Sequence, residues 1–469
     1  MKSAHRDTLP IDRVIDALGP ISLSPSDVKL FVDAMNRRYR SSLRRRRDID
    51  PAALPFDCEP IDWYSLGHRV TAADVRPSRH LAYACGDYYL QDAGSMLALA
   101  ACDADQNDFD GDQLICDLCA APGGKASGLL EAIGSRGFLL ANEPIRSRIA
   151  PLAFNLARTR SDRFAISCMD SEQLADTLGG VFDLVVVDAP CSGQALMGKG
   201  KQTVSALSPK QIQHSAARQR RILAAAIRLL RPGGRLVYST CTFAHAENEA
   251  QIDHLVSENL AQPSPVQRLD TYASGESTYR IWPHQSACAG SFAASVRTTG
   301  DVDPQSGWKS KIRDRKRQRD QPLPFDWGQW YEGCIESETT RCKVTDAVVY
   351  AWPADAPLWV EEVAVAGPEV AYRTGQTWKP SHAGALRQSS ALCQSGALRQ
   401  SGWGVAKRSL NADTQSAKAF LAGAPITCDQ TGWLVVRYQS KPLGWIKASQ
   451  GVGKNQLPTA ARFAGELTS

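Results

Sequence analysis

The sequence of 469 residues has no long apolar run and no closed cysteine framework. No stretch approaches the roughly 18 apolar residues that cross a membrane, and the polar segment Met1 to Asp7 does not resemble a signal peptide. The 13 cysteines are odd in number and scattered, which argues against a disulfide scaffold and favours a reducing compartment. These absences predict a cytoplasmic protein without a membrane partner.

Two nucleotide-binding signatures and a metal site are also missing. A phosphate loop, Gly-x-x-x-x-Gly-Lys-Ser/Thr, fits Gly124 and Lys125, but its first glycine would fall at Cys119 and its hydroxyl at Ala126. The Gly-x-Gly-x-x-Gly of dinucleotide folds is absent as well. Cys116 and Cys119 form a Cys-x-x-Cys pair with no second pair, and the eight histidines show no ligand spacing. We therefore expect no metal.

The composition is that of a globular protein whose positive charge is clustered. With 43% hydrophobic and 22% charged residues, the chain has enough material for about three domains of about 150 residues. The net charge of +5 is mild, but Arg44 to Arg47 and residues 309–319, with seven basic residues in eleven, form concentrated runs. Each run is either solvated surface or a contact to phosphates, which makes nucleic acid a candidate partner.

Pattern and composition divide the chain into four segments. Residues 1–78 form an N-terminal region with one clear helix, which Ser24 and Pro25 begin. Residues 79–300 alternate apolar strands with helices, and residues 301–325 form a basic linker. Residues 326–469 are a small β-rich module with predicted strands at 347–352, 358–365, 433–438 and 442–446. Within it, residues 384–389 recur as 396–401, which we interpret as an expanded surface loop.

The alternating segment predicts a parallel α/β sheet with one site at its edge. We predict strands at 114–117, 137–141, 182–188 and 235–239, and a long helix that begins at Ser208-Pro209 and ends at Pro232. Polar or reactive residues follow these strands: Asp117, Glu143, Asp188 and Cys241. Because ligands bind at the carboxyl ends of strands in open α/β sheets, we expect these residues to share one site.

The stretch Asp117 to Lys125 predicts a strand, a glycine turn and a helix. Free N–H groups at the start of the helix, and the missing side chains of Gly123 and Gly124, let a ligand approach the main chain. Glu143 ends the next strand, where an acid accepts hydrogen bonds from ribose hydroxyls. Since the phosphate spacings fail, a nucleoside without a pyrophosphate fits best, and S-adenosyl-L-methionine is the natural candidate.

Three motifs in this order resemble those of the Sun family of RNA cytosine-5 methyltransferases. They are Cys119 to Lys125 (Cys-Ala-Ala-Pro-Gly-Gly-Lys), Asp188 to Gly193 (Asp-Ala-Pro-Cys-Ser-Gly) and Tyr238 to Thr242 (Tyr-Ser-Thr-Cys-Thr). Residues 88–96, 281–284 and 290–292 match as well, so that the resemblance runs over about 79–300. It implies a Rossmann-like S-adenosylmethionine methyltransferase fold in this segment.

The chemistry of the reaction explains why two cysteines are present. Carbon 5 of cytosine is a poor nucleophile, so a thiolate must first add to carbon 6. The family pattern implies that Cys241 is this nucleophile and that Cys191 assists release of the adduct. In the related DNA enzymes the Pro-Cys cysteine attacks instead, so the motif alone permits the inverse assignment. We favour Cys241 because both motifs are present.

The resemblance also implies the remaining site residues. Asp188 would hydrogen-bond the base edge, and Lys125 would lie beside the reacting group. The methyl donor would rest on Cys119, Ala120, Ala121, Pro122, Gly123, Gly124, Lys125, Glu143, Asp170 and Asp188. One departure concerns the loop that begins at Gly193. The family often has a second glycine two residues later, whereas Gln194 and Ala195 follow Gly193 here. The loop is therefore expected to take a different path.

The C-terminal segment is similar to the RNA-binding, PUA-like module of bacterial small-subunit ribosomal RNA methyltransferases of this family. The similar stretches are residues 375–380, 441–447 and 453–458 with Arg462. We expect a monomeric methyltransferase that is flanked by RNA-binding regions. Small-subunit ribosomal RNA is its expected substrate. Two alternatives stay open: an enzyme that acts on transfer RNA, and a non-catalytic ribosome-assembly factor.

Overall fold

The computed structural model describes most of the chain. The described residues are 9, 11–21, 23–106, 109–134, 136–300, 323–332, 340–388 and 405–468. The basic run 309–319 and the second copy of the repeat, 396–401, lie outside them. Within the described ranges, no helix combines the length and apolarity that crossing a membrane requires.

Two helices begin the described chain, α1 (Ile11–Leu18) and α2 (Pro25–Met35). Ser24 caps α2, since its Oγ accepts a hydrogen bond from the backbone N–H of Asp27 at 3.1 Å. The apolar face of α2 is buried, with Phe31 fully enclosed. The predicted helix and its start at Ser24-Pro25 are therefore confirmed.

A four-stranded antiparallel sheet follows, in the order β2-β3-β1-β4. Its strands are β1 (Ser42–Arg45), β2 (Cys58–Ile61), β3 (Tyr64–Val70) and β4 (Tyr88–Leu90), and two short helices, α3 (Leu81–Ala84) and α4 (Leu97–Ala101), flank β4. Both interpretations of the arginine run are wrong for Arg44, which is 1% exposed. Its guanidinium pairs with Glu131 and donates to Ser127 Oγ at 2.8 Å, so Arg44 joins this sheet to the segment of residues 79–300.

The central sheet has nine strands, of which five are parallel. The order is β10-β12-β9-β8-β5-β6-β7-β16, with β11 paired to β12. The strands of residues 79–300 are β5 (Leu114–Asp117), β6 (Phe138–Asn142), β7 (Phe164–Ser167), β8 (Phe182–Asp188), β9 (Leu230–Thr240), β10 (Ala261–Pro263), β11 (Thr278–Ile281) and β12 (Ser291–Thr298). Strands β5 and β8 have the predicted bounds. Strand β9 begins at Leu230, so Pro232-Gly233-Gly234 lies within it rather than before it.

Helices cover both faces of this sheet and bury two apolar cores. They are α5 (Gly124–Ala132), α6 (Ile149–Ala157), α7 (Ser171–Leu178), α8 (Pro209–Leu229), α9 (Glu249–Ser257) and α10 (Pro283–Ser286). The chain runs from β5 to β6 and β7 on one side, whereas β8 and β9 lie on the other side of β5. The strand order therefore reverses between β5 and β8, which is where ligands bind in such sheets. The predicted Rossmann-like fold is confirmed.

The C-terminal segment forms two further sheets, in the orders β14-β15-β17-β18 and β20-β22-β23-β24-β21, and the short pair β13-β19. Its elements are β13 (Tyr331–Glu332), β14 (Thr340–Val344), β15 (Val348–Pro353), α11 (Val360–Val363), β16 (Ala364–Ala366), β17 (Glu369–Thr374), β18 (Thr377–Pro380), α12 (His382–Leu386), β19 (Val405–Ala406), β20 (Ser409–Asn411), α13 (Thr414–Leu421), β21 (Ile426–Thr427), β22 (Gly432–Tyr438), β23 (Lys441–Ser449) and β24 (Val452–Asn455). The segment is β-rich, as predicted.

Two predictions within this segment are wrong. Residues 358–365 do not form one strand, because α11 occupies four of the eight and β16 then pairs with β7 of the central sheet. The cause is packing: the ring of Trp359 lies 5.5 Å from that of Phe182 and 6.0 Å from that of Phe138. The first copy of the repeat is not a surface loop either. It begins within α12, where Gly384, Ala385 and Leu386 are buried.

Candidate functional site

A cavity of about 370 Å³ lies where the strand order reverses, at the carboxyl ends of β5, β8 and β9. Eight of the residues that we expected in the site line it: Cys119, Ala120, Ala121, Pro122, Gly124, Lys125, Asp188 and Cys241. Asp117 also lines it. The topology thus brings three separate motifs to one place, because parallel neighbours end at the same edge of the sheet.

The glycine turn forms the floor of the cavity. Gly123 adopts φ +111°, a left-handed conformation that L side chains rarely take, and it caps α5. A Cβ at Gly123 would also approach the Cβ of Asn155 to 3.1 Å. The chain can therefore turn from β5 into α5 within a few residues only with glycine here. The first N–H groups of α5 then face the ligand side, as a partial positive charge.

Lys125 and Asp188 form an ion pair inside the cavity. Lys125 Nζ lies 2.7 Å from Asp188 Oδ2, and the other carboxylate oxygen accepts a hydrogen bond from Ser239 Oγ at 2.9 Å. Burial disfavours the ammonium, but the charge and the hydrogen bond of Asp188, together with the charge of Asp117, outweigh burial and raise the pKa of Lys125. Lys125 is therefore a fixed cation, and the side chain of Asp188 stays 40% exposed toward the cavity.

Asp117 is a second acid in the same cavity, and it was expected in the site because it ends a strand. Its Oδ1 accepts from the N–H of Cys119 at 3.4 Å, whereas its buried Oδ2 accepts no hydrogen bond from any described residue. Burial, followed by repulsion from Asp188, raises the pKa of Asp117 to about 7. An unpaired, buried carboxyl oxygen in a cavity is a feature that a bound hydrogen-bond donor would satisfy. Its position at the strand end was the available signal.

The two cysteines meet beside this cavity. Cys191 Sγ and Cys241 Sγ are 3.1 Å apart, both are free thiols, and both are partly exposed. The hydrogen bond to Cys241, together with burial, raises the pKa of Cys191 well above its usual value. Cys191 is thus held as a neutral thiol in contact with the sulfur of Cys241, and Cys241 is the one of the two that lines the cavity.

Glu143 and Asp170 lie at the ends of β6 and β7, outside the residues that line the cavity. Glu143 is 1% exposed, and its Oε2 pairs with Arg148 Nη1 at 2.9 Å. Arg148 itself lines the cavity and donates to the carbonyl of Ala121 at 2.5 Å. Asp170 caps α7, since its carboxylate accepts from the N–H of Glu172 at 3.0 Å. Their assignment to the methyl donor stays a prediction.

The loop that departs from the family pattern is tied to the segment after Cys241. Gln194 is buried, its Oε1 accepts from the N–H of Phe243 at 2.9 Å, and its Nε2 donates to the carbonyl of Ala206 at 3.2 Å. Farther along the loop, Lys199 Nζ lies 2.7 Å from Asp92 Oδ2, and both residues line the cavity. Gln194, at the variable position of the family pattern, thus anchors the loop, and the buried Ala195 stands where the family often has glycine.

The N-terminal helices pack against this loop and share an apolar core with it. The ring of Phe31 on α2 lies 4.9 Å from that of Phe243 and 5.3 Å from that of Trp282, edge to face in both cases. A Cβ at Gly198 would fall 2.3 Å from the carbonyl oxygen of Arg37, so only glycine lets loop and helix end approach this closely. The N-terminal region therefore contributes to the catalytic segment's own core.

Comparisons with known families agree with this arrangement. A model described as "16S rRNA methyltransferase RsmB/F" matches residues 106–297, and one described as "Methyltransferase RsmF PUA domain" matches residues 407–463. Together they account for more than half of the chain. The chain belongs to the RsmB/F methyltransferase family. The resemblance of its three motifs is thereby confirmed, and the chain is similar to relatives of the F group.

Family relatives match along nearly the whole chain. The ribosomal RNA small subunit methyltransferase F of Klebsiella pneumoniae is 27% identical over 96% of this chain and 95% of its own length. The enzyme of the same name from Vibrio vulnificus is 26% identical over 85% and 84%. That of Erwinia tasmaniensis is 34% identical over a shorter match, 53% and 54%.

Solved structures share the fold of the family. NSun6 from Pyrococcus horikoshii, crystallised with SFG, aligns with a TM-score of 0.53 at 18% identity, over 63% of this chain and 99% of its own. A methyltransferase homologue from the same organism aligns with a TM-score of 0.51 at 22% identity, over 61% and 98%. At these identities the alignments support the Rossmann-like architecture.

Proposed function

We propose that this chain transfers the methyl group of S-adenosylmethionine to carbon 5 of a cytosine in small-subunit ribosomal RNA. The observation that carries the proposal is the contact of Cys191 with Cys241 at 3.1 Å beside the Lys125–Asp188 ion pair. Such a pair of thiols next to a nucleoside-sized cavity suits a reaction in which one sulfur attacks and the other assists. The relatives named as small-subunit ribosomal RNA methyltransferases support the choice of RNA.

The residues of the cavity fit the methyl donor. The start of α5 offers N–H groups to a carboxylate, Asp117 Oδ2 offers an unused acceptor to an ammonium, and the volume of about 370 Å³ suits a nucleoside. Cys119 to Lys125 and Asp188 would hold it, with Glu143 and Asp170 at the neighbouring strand ends. When bound, S-adenosylmethionine supplies an electrophilic methyl group on a sulfonium.

Cys241 acts on the base in this proposal. Its thiolate adds to carbon 6 of cytosine, which makes carbon 5 electron-rich enough to accept a methyl group. Asp188 accepts a hydrogen bond at the base edge and favours protonation of the ring nitrogen as the adduct forms. Its half-exposed carboxylate has room for this contact, and the ion pair with Lys125 keeps the carboxylate oriented.

Cys191 assists the final step. After the methyl group has been transferred, water takes the proton of carbon 5, the electron pair of that bond restores the double bond between carbons 5 and 6, and the bond between carbon 6 and the sulfur of Cys241 breaks. A neutral Cys191 thiol that donates to this sulfur stabilises the departing thiolate. The high pKa of Cys191 therefore suits release rather than attack, which favours Cys241 as the nucleophile.

We further propose that the flanking regions bind RNA and that the chain acts as a cytoplasmic monomer. The match of residues 407–463 to a PUA domain supports the C-terminal role. In the N-terminal region, Arg37 and Arg38 are exposed beside the loop that lines the cavity, which gives phosphates a place to bind near Cys241.

The decisive experiment is transfer of a radiolabelled methyl group to three substrates: bare ribosomal RNA, assembled small subunits and transfer RNA. Mapping of 5-methylcytosine then identifies the target. We expect label in small-subunit RNA and none in transfer RNA. Label in transfer RNA alone would show that transfer RNA, not ribosomal RNA, is the substrate. No label in any RNA would favour the assembly-factor alternative.

The cysteine assignment has its own test. Cys191→Ala should accumulate a covalent protein–RNA adduct that survives denaturing electrophoresis, whereas Cys241→Ala should form none, because only Cys241 makes the bond to carbon 6. Cys342→Ala, at a half-buried cysteine of β14 outside the cavity, is the matched control and should turn over normally. Adduct in Cys241→Ala, and none in Cys191→Ala, would invert the two roles.

A further inference from the structure

The 3.1 Å contact between the two sulfur atoms depends on two separate loops. Cys191 lies three residues beyond the end of β8, and Cys241 directly follows β9. The strands themselves fix Asp188 opposite Ser239, but neither cysteine is part of the ladder. Something beyond the sheet must hold the loops together, since an error of about 1 Å in such a site costs roughly a hundredfold in rate.

Glu247 is the residue that bridges them. Its side chain is fully buried, and its Oε2 accepts hydrogen bonds from the backbone N–H of Ser192 and from Gln219 Nε2, both at 2.9 Å. Its Oε1 lies 3.5 Å from Thr242 Oγ1, which donates to it. One carboxylate therefore contacts the residue that follows each cysteine.

Further hydrogen bonds lock this bridge in place. Ser192 Oγ and Thr242 Oγ1 lie 2.8 Å apart, which joins the two loops directly. Gln219, on α8, also donates to the carbonyl of Pro190 at 3.0 Å, immediately before Cys191. The hydroxyl of Tyr238 donates to the carbonyl of Glu247 at 2.6 Å and fixes its backbone. Buried networks of this kind are rigid because each donor has a partner.

We propose that Glu247 is a positioning residue for the methyl-transfer reaction, which sets the separation of Cys191 and Cys241 through Ser192 and Thr242. The expected effect of Glu247 on catalysis rests on the proposed function. Its effect on the separation of the two cysteines does not. The negative charge of Glu247 has a second effect. After the hydrogen bond to Cys241 and burial, it is a further cause of the raised pKa of Cys191. Glu247 thus helps to keep Cys191 as the neutral donor.

Alkylation of the two cysteines by iodoacetamide, followed by peptide mass spectrometry across a range of pH, tests this without RNA or cofactor. In Glu247→Ala the reactivity profile of Cys191 should move to lower pH by about one unit, because a nearby like charge is lost. Glu247→Gln keeps an oxygen that accepts from Ser192 and Gln219 but loses the charge. The Cys191 reactivity profile of this variant should shift to lower pH by the same amount, while the two loops keep their positions.

The two variants should differ in catalysis. Glu247→Ala should lower kcat about a hundredfold with little change in KM, because the cysteines lose their mutual alignment but the RNA-binding surfaces remain. Glu247→Gln should retain most of the wild-type kcat. Recovery by the amide distinguishes positioning through hydrogen bonds from a need for the carboxylate itself.

Glu249→Ala is the matched control for a purely structural loss. Glu249 lies two residues away and pairs with the buried Arg280, with Nη2 and Oε2 at 2.5 Å, and its side chain contacts neither cysteine loop. It should lower thermal stability and leave the alkylation profile unchanged. A wild-type profile in Glu247→Ala, or an equal movement in Glu249→Ala, overturns the proposal. A moved profile in Glu247→Ala alone supports it even if the wild-type chain methylates none of the RNAs, a result that would overturn only the proposed function.

Discussion

Replacement of Asp117 by asparagine should stabilise the protein at neutral pH and less so in acid. Asp117 is 1% exposed, and burial and Asp188 raise its pKa from the ordinary 3.8 to about 7. Between these values the folded chain keeps a proton that the unfolded chain has released. The stability of the wild type is therefore fullest below pH 4 and declines as the pH rises through 7. Asparagine has no such proton to lose.

The size of the effect follows from the shift of about three units. Each unit corresponds to about 1.4 kcal/mol, so the advantage of Asp117→Asn should grow to about 4 kcal/mol between pH 4 and pH 8 as an upper bound. Repulsion between Asp117 and Asp188 forms part of this figure, so the growth measured should be about 2 to 4 kcal/mol. The amide oxygen can still accept from the N–H of Cys119, so the turn is preserved.

Urea denaturation at pH 4 and pH 8, followed by circular dichroism, measures this difference. Asp253→Asn, at an exposed position on α9, is the matched control and should change stability equally at both pH values. A stability difference for Asp117→Asn that is the same at both pH values, or larger at pH 4, would refute the assignment of a buried and protonated Asp117.

Three further predictions concern the walls of the site. Phe31→Ala should cost about 3 to 5 kcal/mol in denaturant-measured stability, because the fully buried ring packs on Phe243; unchanged stability would mean that α2 is not part of the core. Ser24→Ala should cost about 1 kcal/mol through the lost cap of α2, and Ser24→Asp, which can still accept from Asp27, should cost less. Gly290→Ala should lower Tm, since its Cβ would fall 2.7 Å from the ring of Phe243 at φ +86°; a normal Tm would show that this loop yields.

The elements with strong local signals were predicted well. Strands β5 and β8 have the predicted bounds because unbroken apolar runs between polar residues suit a buried parallel strand. The starts of α2 and α8 were predicted because serine and proline fix a helix start through the first turn alone. Such features depend on a few neighbouring residues, which the sequence displays directly.

The wrong predictions concern residues whose surroundings come from distant parts of the chain. Arg44 reads as surface charge in the sequence, yet Glu131 and Ser127, more than 80 positions away, make its burial favourable. Residues 358–365 read as a strand by composition, yet the rings of Phe138 and Phe182 draw Trp359 and the following turn of helix onto the sheet. Local propensity is a weak prior that such contacts override.

The sequence by itself determined which reactive groups the chain carries: a glycine turn, an acid and a lysine, and two cysteines in separate motifs. These properties belong to side chains and to short motifs, so they are legible without a fold. Only the tertiary structure decided which of these groups meet. It placed Cys191 3.1 Å from Cys241 and set Glu247 beneath both loops, because β8 and β9 are neighbours in the sheet while their cysteines are 50 positions apart in the chain.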